Sequence, residues 1–156
     1  MKLDSKKISS IDGKKFQIGI VFSEYNSSIG NLLLKNCLDT LKDHNVQPNN
    51  INIVKVPGAL ETPLIAAKMA RSKKYDAIIA LGVVLKGETY HFDLVCDQTY
   101  SGLMQVSLEY DLPVIFGILG ANTKSQAVKR ANTKGLNKGK EYAETALQMA
   151  KITTKT

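Results

Sequence analysis

Short, nearly continuous apolar runs alternate along this chain with longer segments in which apolar residues recur every three or four positions. Residues 16–22 read FQIGIVF, a run of strand length. Residues 51–56 (INIVKV), the stretch DAIIALGVVL within residues 75–85, and residues 114–119 (VIFGIL) are of the same kind. Between them, Ile29, Leu32, Leu33, Cys37, Leu38 and Leu41 fall at helical spacing across residues 29–44. Thr62-Pro63 reads as an N-cap followed by a first-turn proline, opening a helix that runs to about Arg71. A third helical pattern covers residues 90–110 and is broken by Asp111-Leu112-Pro113, and two more cover residues 123–132 and 139–152. Runs this apolar predict strands covered on both faces, and regular β–α alternation predicts a parallel sheet with a helix layer on each side. The expected fold is a doubly wound α/β domain, a three-layer α/β/α sandwich on four parallel strands. One domain spans residues 16–156. Residues 1–15 carry no element of their own, and read as a free tail or as an arm that pairs with a neighbouring subunit.

Composition narrows the function more than the fold. A chain of 156 residues, 44% hydrophobic and 22% charged, suffices for one well-filled core. No apolar run approaches the roughly 20 residues of a membrane span. The opening MKLDSKKISSIDGKKF lacks the apolar centre of a secretory leader, so the cytoplasm is the default location. Cys37 and Cys96 have no metal-type spacing and read as reduced core residues; with only two histidines besides, no metal site is expected. His44, followed by Asn45, reads as a helix C-cap partner. The net charge of +7 is concentrated late: Lys124, Lys129, Arg130, Lys134, Lys138, Lys140, Lys151 and Lys155 face only Glu141 and Glu144. A solvated face, an anionic small-molecule site and a nucleic-acid surface all fit such a cluster. The last is disfavoured, because Tyr142 is the one aromatic there that bases could stack on. No GxGxxG or GKS/GKT phosphate loop is present, and no acidic pair follows the first strand as in phosphoacceptor domains.

Ligands of open α/β sheets sit beyond the carboxyl ends of the strands, which directs attention to residues 23–26, 57–61, 85–91 and 120–123. In KGETYHFD, residues 86–93, Gly87 permits a tight turn and Thr89 can cap a helix starting near Tyr90. The free N–H groups of that helix would cradle an anion, with His91 beside it in the first turn. An imidazole can take and give a proton near neutrality. A plain surface histidine with Thr89 as a simple cap is the competing reading. Glu88 suits an anion site only if its carboxylate points away. In PGALE, residues 57–61, turn N–H groups and Glu61 can bind hydroxyls, or Glu61 can merely favour the helix start. Tyr25 and Asn26 offer an aromatic face for a flat heterocycle.

From Phe16 to Ala150 the chain resembles the 6,7-dimethyl-8-ribityllumazine synthases. The stretches that carry the likeness are VPGALE followed later by proline, YDAIIALGVVLKGETYHFD, LPVIFGIL and QAVKRANTKGLNKG, and the pairing of GETYHFD with RANTKGLNKG is specific. The resemblance implies a flavodoxin-like fold and a cofactor-free transferase of riboflavin biosynthesis. It would join 5-amino-6-(D-ribitylamino)uracil to 3,4-dihydroxy-2-butanone 4-phosphate, releasing phosphate and two waters. By position, Tyr25 would stack on the pyrimidine, with Asn26 beside it. Ala59, Leu60 and Glu61 would hold the ribityl chain, Leu60 replacing a more usual Phe. Backbone groups of Val83, Val84 and Leu85 would read the pyrimidine edge. Glu88 (through its backbone), Thr89 and Arg130 would bind the sugar phosphate, and His91 would move protons. Phe116 would cover the ring from the neighbouring subunit, with Lys138 nearby.

The same resemblance implies a homopentamer at least, with a decamer or a 60-subunit shell open as larger assemblies and riboflavin synthase as a candidate protein partner. Nucleic acid and membrane are not expected as partners. The chain departs from the family pattern at Gly120-Ala121, where a Thr pair is common, and at Asn132 and Leu136, where Gly is usual. None of these removes a reacting group; they bear on the shape of the last loops and on assembly size. Two rivals are a ligand binder or different enzyme on the same scaffold, and a basic interaction protein.

Overall fold

The computed structural model describes Ile8 and residues 10–155. Four strands, β1 (Ile18–Ser23), β2 (Ile51–Val56), β3 (Ala77–Leu85) and β4 (Val114–Ala121), form an all-parallel sheet in the order β2-β1-β3-β4. The helices are α1 (Ser27–Asp43), α2 (Thr62–Arg71), α3 (His91–Tyr110), α4 (Lys124–Ala131) and α5 (Lys138–Thr154). Helices α1 and α5 pack together on one face of the sheet, and α2 and α3 on the other, which gives the expected three-layer flavodoxin-like architecture.

Alternation along the strands sorts the core into two layers. On the α1/α5 face, Ile18, Ile20 and Phe22 of β1 and Ala77, Ile79 and Leu81 of β3 meet Cys37, Leu41, Ala143, Ala146 and Leu147. On the α2/α3 face, Val21, Ile78 and Ala80 meet Ala66, Met69, Leu103 and Val106. A third cluster of Ile29, Leu33, Val83, Leu119, Ala127 and Ala131 plugs the carboxyl end under α4. The two central strands are thus covered on both faces, as their apolar runs predict. The edge strand β2 is not: Asn52, Ile53 and Lys55 are exposed. A lysine on an open edge discourages further strand pairing.

Several local expectations shift. The first strand starts two residues late, because Gln17 is engaged outside the ladder by Asp76, N to Oδ2 at 2.8 Å and O from N at 2.8 Å. The fourth runs on to Ala121, because β3 extends to Leu85 and pairs with it. Thr62 is not the N-cap. The short 3-10 turn Ala59–Glu61 leads into α2 without a break, so Thr62 is already helical and its hydroxyl donates back to the Ala59 carbonyl at 2.7 Å. His44 does end α1, with Asn45 following at φ 65°, and its Nδ1 lies 3.1 Å from the Ile11 carbonyl. A carbonyl only accepts, so that nitrogen carries the proton. Ile8 and Ile11 are buried, so this part of the arm lies on its own chain; residues 1–7 and 9 are outside the described residues.

Cys37 is buried, and burial pushes its thiol up to about 12. Cys96 is only half-buried, not a core residue; burial and the carboxylates of Asp93 and Asp97 raise it. Among the described residues no helix is long and apolar enough to cross a membrane.

Candidate active site

Strand β1 stops at Ser23, whereas β3 continues four residues beyond its last β1 partner, Leu81. The missing β1 partner opens a cleft at the carboxyl end, on the α2/α3 side. The cavity holds about 520 Å³, a volume suited to small-molecule ligands. Its walls are Tyr25 and Asn26 after β1, residues 58–61 after β2, Val83, Val84, Leu85, Gly87 and Thr89 from β3 and its loop, and His91, Phe92 and Val95 from α3.

Strand parity decides how β3 contributes. Ile78 N donates to Pro113 O and Lys86 N to Ala121 O, so even-numbered residues turn their main chain toward β4. Val83 and Leu85 therefore turn theirs toward the cleft, while their side chains pack under α4 on the opposite face. Val84 does the reverse, presenting its side chain on the α2/α3 face. Of the three residues expected to read a ring edge through the backbone, two face the cleft that way.

The loop after β1 is held on two sides. Glu24 N and Tyr25 N donate to Val56 O and Pro57 O at 2.9 and 3.1 Å, extending the β1–β2 ladder. The Asn26 side-chain amide donates to Val83 O at 3.0 Å. Between these ties Tyr25 projects with 72% of its surface exposed, a free aromatic face. On the opposite wall, α3 begins at His91, not Tyr90, and Thr89 Oγ1 accepts from His91 N at a long 3.4 Å. The cap is weak, and the helix start remains available to an acceptor. Gly87 takes no positive φ, so no tight turn requires it; a Cβ there would meet nothing within 4 Å.

Phe92 and Val95 line the cleft but were not singled out in the sequence. Their signal is helical periodicity: both stand within a turn of His91. A Cβ at Gly120 would meet Phe92 Cζ and Cys96 Sγ, both at 3.3 Å.

Glu88, Phe116, Arg130 and Lys138 do not line this cleft. Glu88 is exposed. Phe116, on β4, stacks on Tyr100 with centroids 6.0 Å apart, and the Tyr100 hydroxyl donates to Ile118 O on the free edge. Lys138 is paired with Glu141 at 2.8 Å. Arg130 stands in the last turn of α4 and makes no ion pair among the described residues.

A model of the 6,7-dimethyl-8-ribityllumazine synthase family matches residues 15–154, nearly the whole chain. The chain belongs to this family. It is a transferase of riboflavin biosynthesis, and as a lumazine synthase it condenses 5-amino-6-(D-ribitylamino)uracil with 3,4-dihydroxy-2-butanone 4-phosphate. No lysine or arginine stands among the lining residues of the cleft.

The loop after α4 keeps a defined shape despite its departures from the family pattern. Asn132 Oδ1 accepts from Lys134 N at 3.1 Å, Leu136 N donates to Lys129 O at 3.0 Å, and Gly135 is pressed so close to Lys129 O that a Cβ would lie 2.0 Å away. The buried Asn36 of α1 ties this loop down, donating to Ala131 O at 3.0 Å and accepting from Thr133 Oγ1 at 2.9 Å.

Proposed function

We propose that the cleft is the aminouracil half of a lumazine synthase site that a neighbouring copy completes. The observation that carries this reading is the cation-free lining, set against a half-buried Arg130 elsewhere on the same chain that makes no ion pair among the described residues. A phosphate bound at the start of α3 gains from the helix dipole, but a dianion leaving in the reaction calls for a charged partner as well. Arg130, Phe116 and Lys138 of an adjacent subunit supply that wall in a closed ring, a homopentamer at least. Phe116 lies on the edge strand β4, and Arg130 and Lys138 on the helices that follow it.

Within the cleft, Tyr25 stacks on the pyrimidine, the main chains of Val83 and Leu85 read its edge, and Ala59, Leu60 and Glu61 take the ribityl hydroxyls. Glu88, through its backbone, and Thr89 join the helix start in holding the sugar phosphate. The aminouracil amine attacks the ketone to form an imine with loss of water. Phosphate is then eliminated, and a second attack with dehydration closes the ring. Each step moves a proton, and His91 carries it. Much of the acceleration comes from holding two reactive molecules together. The enzyme works in the cytoplasm on this reading, where free thiols such as Cys37 and Cys96 stay reduced, and riboflavin synthase is the partner that would take the product onward.

The direct test mixes purified protein with both substrates and follows the fluorescent lumazine above the uncatalysed rate, with light scattering on the same sample. Product formation by a pentamer or larger is expected. A fully active monomer would refute the shared site.

A further inference from the structure

Asn26 does not behave as a helix cap. It sits at the N-cap of α1 with φ 58° and ψ 35°, and its side chain makes no capping bond. A capping Asn is worth about 1 kcal/mol to a helix, so the side chain forgoes a standard gain. It reaches across the end of the sheet instead, and the amide nitrogen donates to Val83 O at 3.0 Å. The orientation is unambiguous, because a carbonyl can only accept. The backbone of the same residue starts α1, its oxygen accepting from Ile29 N and Gly30 N at 3.1 and 3.0 Å. One residue therefore joins three things: the helix start, the end of β3 and the Tyr25 loop.

Tyr25 itself is too exposed to be placed by packing. Its direction is set by its backbone, tied to Pro57 O on the β2 side and, through Asn26, to Val83 O on the β3 side. We infer that Asn26 is a positioning residue for the aminouracil: it sets the gap between the Tyr25 face and the Val83–Leu85 main chain, the slot that a flat ring must enter. It also occupies the Val83 carbonyl on the cleft side, so the ring meets a narrower set of acceptors there. This inference rests on the proposed stacking of the substrate ring on Tyr25.

The test compares wild type, Asn26→Gly, Asn26→Asp, Tyr25→Ala and the Asn26→Gly/Tyr25→Ala double variant, all as assembled enzyme, by steady-state lumazine formation and thermal melting. Glycine accepts the left-handed backbone, so the fold stays while the tie is lost. The expected result is a KM for the aminouracil raised roughly three- to tenfold in Asn26→Gly, with the KM for the sugar phosphate within about twofold. Asn26→Asp keeps the size but sets a carboxylate against the Val83 carbonyl, and should do at least as much harm. In the Tyr25→Ala background, Asn26→Gly should add little. The inference is overturned if Asn26→Gly or Asn26→Asp keeps the wild-type aminouracil KM beside a damaged Tyr25→Ala. It is equally overturned if both KM values rise together, or if the two lesions multiply in the double variant. A Tyr25→Ala enzyme with unchanged KM would instead refute the stacking reading, and the inference would fall with it.

Discussion

The carboxyl end of the sheet has two flanks of opposite character. The flank built from the ends of β1, β2 and β3 is concave, and no lysine or arginine lines its cleft. The flank that runs from β4 through α4 into α5 carries the cations and the Phe116 ring, and none of them turns toward that cleft. On the first flank, positions are fixed by main-chain ties and strand parity within one chain. On the second, Lys138 is paired with Glu141 and Lys140 reaches Glu144 at 3.8 Å, while Arg130 has no acidic partner among the described residues. On the proposed reading a single chain holds both halves of the chemistry, but in separate places. Rotation about a ring axis, which brings one flank of a subunit to the other flank of its neighbour, would join them.

The largest expected effect follows from that separation. His91→Ala should lower turnover roughly tenfold or more, and Arg130→Ala should do at least as much through loss of phosphate binding. If the two residues serve one site from different subunits, unfolding the two variants together and refolding them at equal amounts restores activity. Random assembly leaves about a quarter of the sites with both groups intact. If both act within one chain, no site in the mixture is intact and activity stays low. Arg130→Lys belongs in the same series: it keeps the charge but loses the two-pronged fork, and should fall well short of wild type.

Tyr25 probes the first flank alone. Aromatic stacking on a base is worth about 1–3 kcal/mol, so Tyr25→Ala should raise the aminouracil KM by roughly tenfold. Tyr25→Phe keeps the π-face and should stay near wild type. A large loss in Tyr25→Phe would show that the hydroxyl, not the ring, is what the substrate meets.

These two flanks also mark how far the sequence could be read. The strands β1 and β3 are legible because continuous apolar runs such as IGIVF and AIIALGV admit few other solutions in a short domain. The strand ends followed from the α/β order, and with them the cleft residues from Tyr25 to His91. Caps were read less well. Thr62 and Thr89 look alike as N-cap candidates, but each outcome depended on the backbone before the helix: a 3-10 turn made Thr62 helical, and a start at His91 left Thr89 one residue early. Phe92 and Val95 were hidden because a pocket-lining apolar residue has the same periodicity as a core one. The departure at Asn132 became intelligible only with its hydrogen bond from Lys134 N. The roles proposed for the second flank rest on likeness to a family alone, since no property of one chain states what it meets on another.

The smallest expected effect lies at Gly87, at the mouth of the anion cradle. Its φ is not positive and a Cβ there would meet nothing within 4 Å, so Gly87→Ala asks nothing of the fold. A compatible Gly→Ala change can stabilise by about 0.4–1 kcal/mol through the unfolded chain, so melting should hold or rise slightly. The added methyl nevertheless stands at the cleft wall, where the proposed phosphate would approach the main chain closely. The sugar phosphate KM should therefore rise by about two- to threefold, with the aminouracil KM unchanged. A fall in melting temperature would mean that the loop needs glycine for its own shape. An unchanged phosphate KM would mean that the anion sits away from Gly87, and the start of α3 would then have to yield its place as cradle to the cations of the second flank.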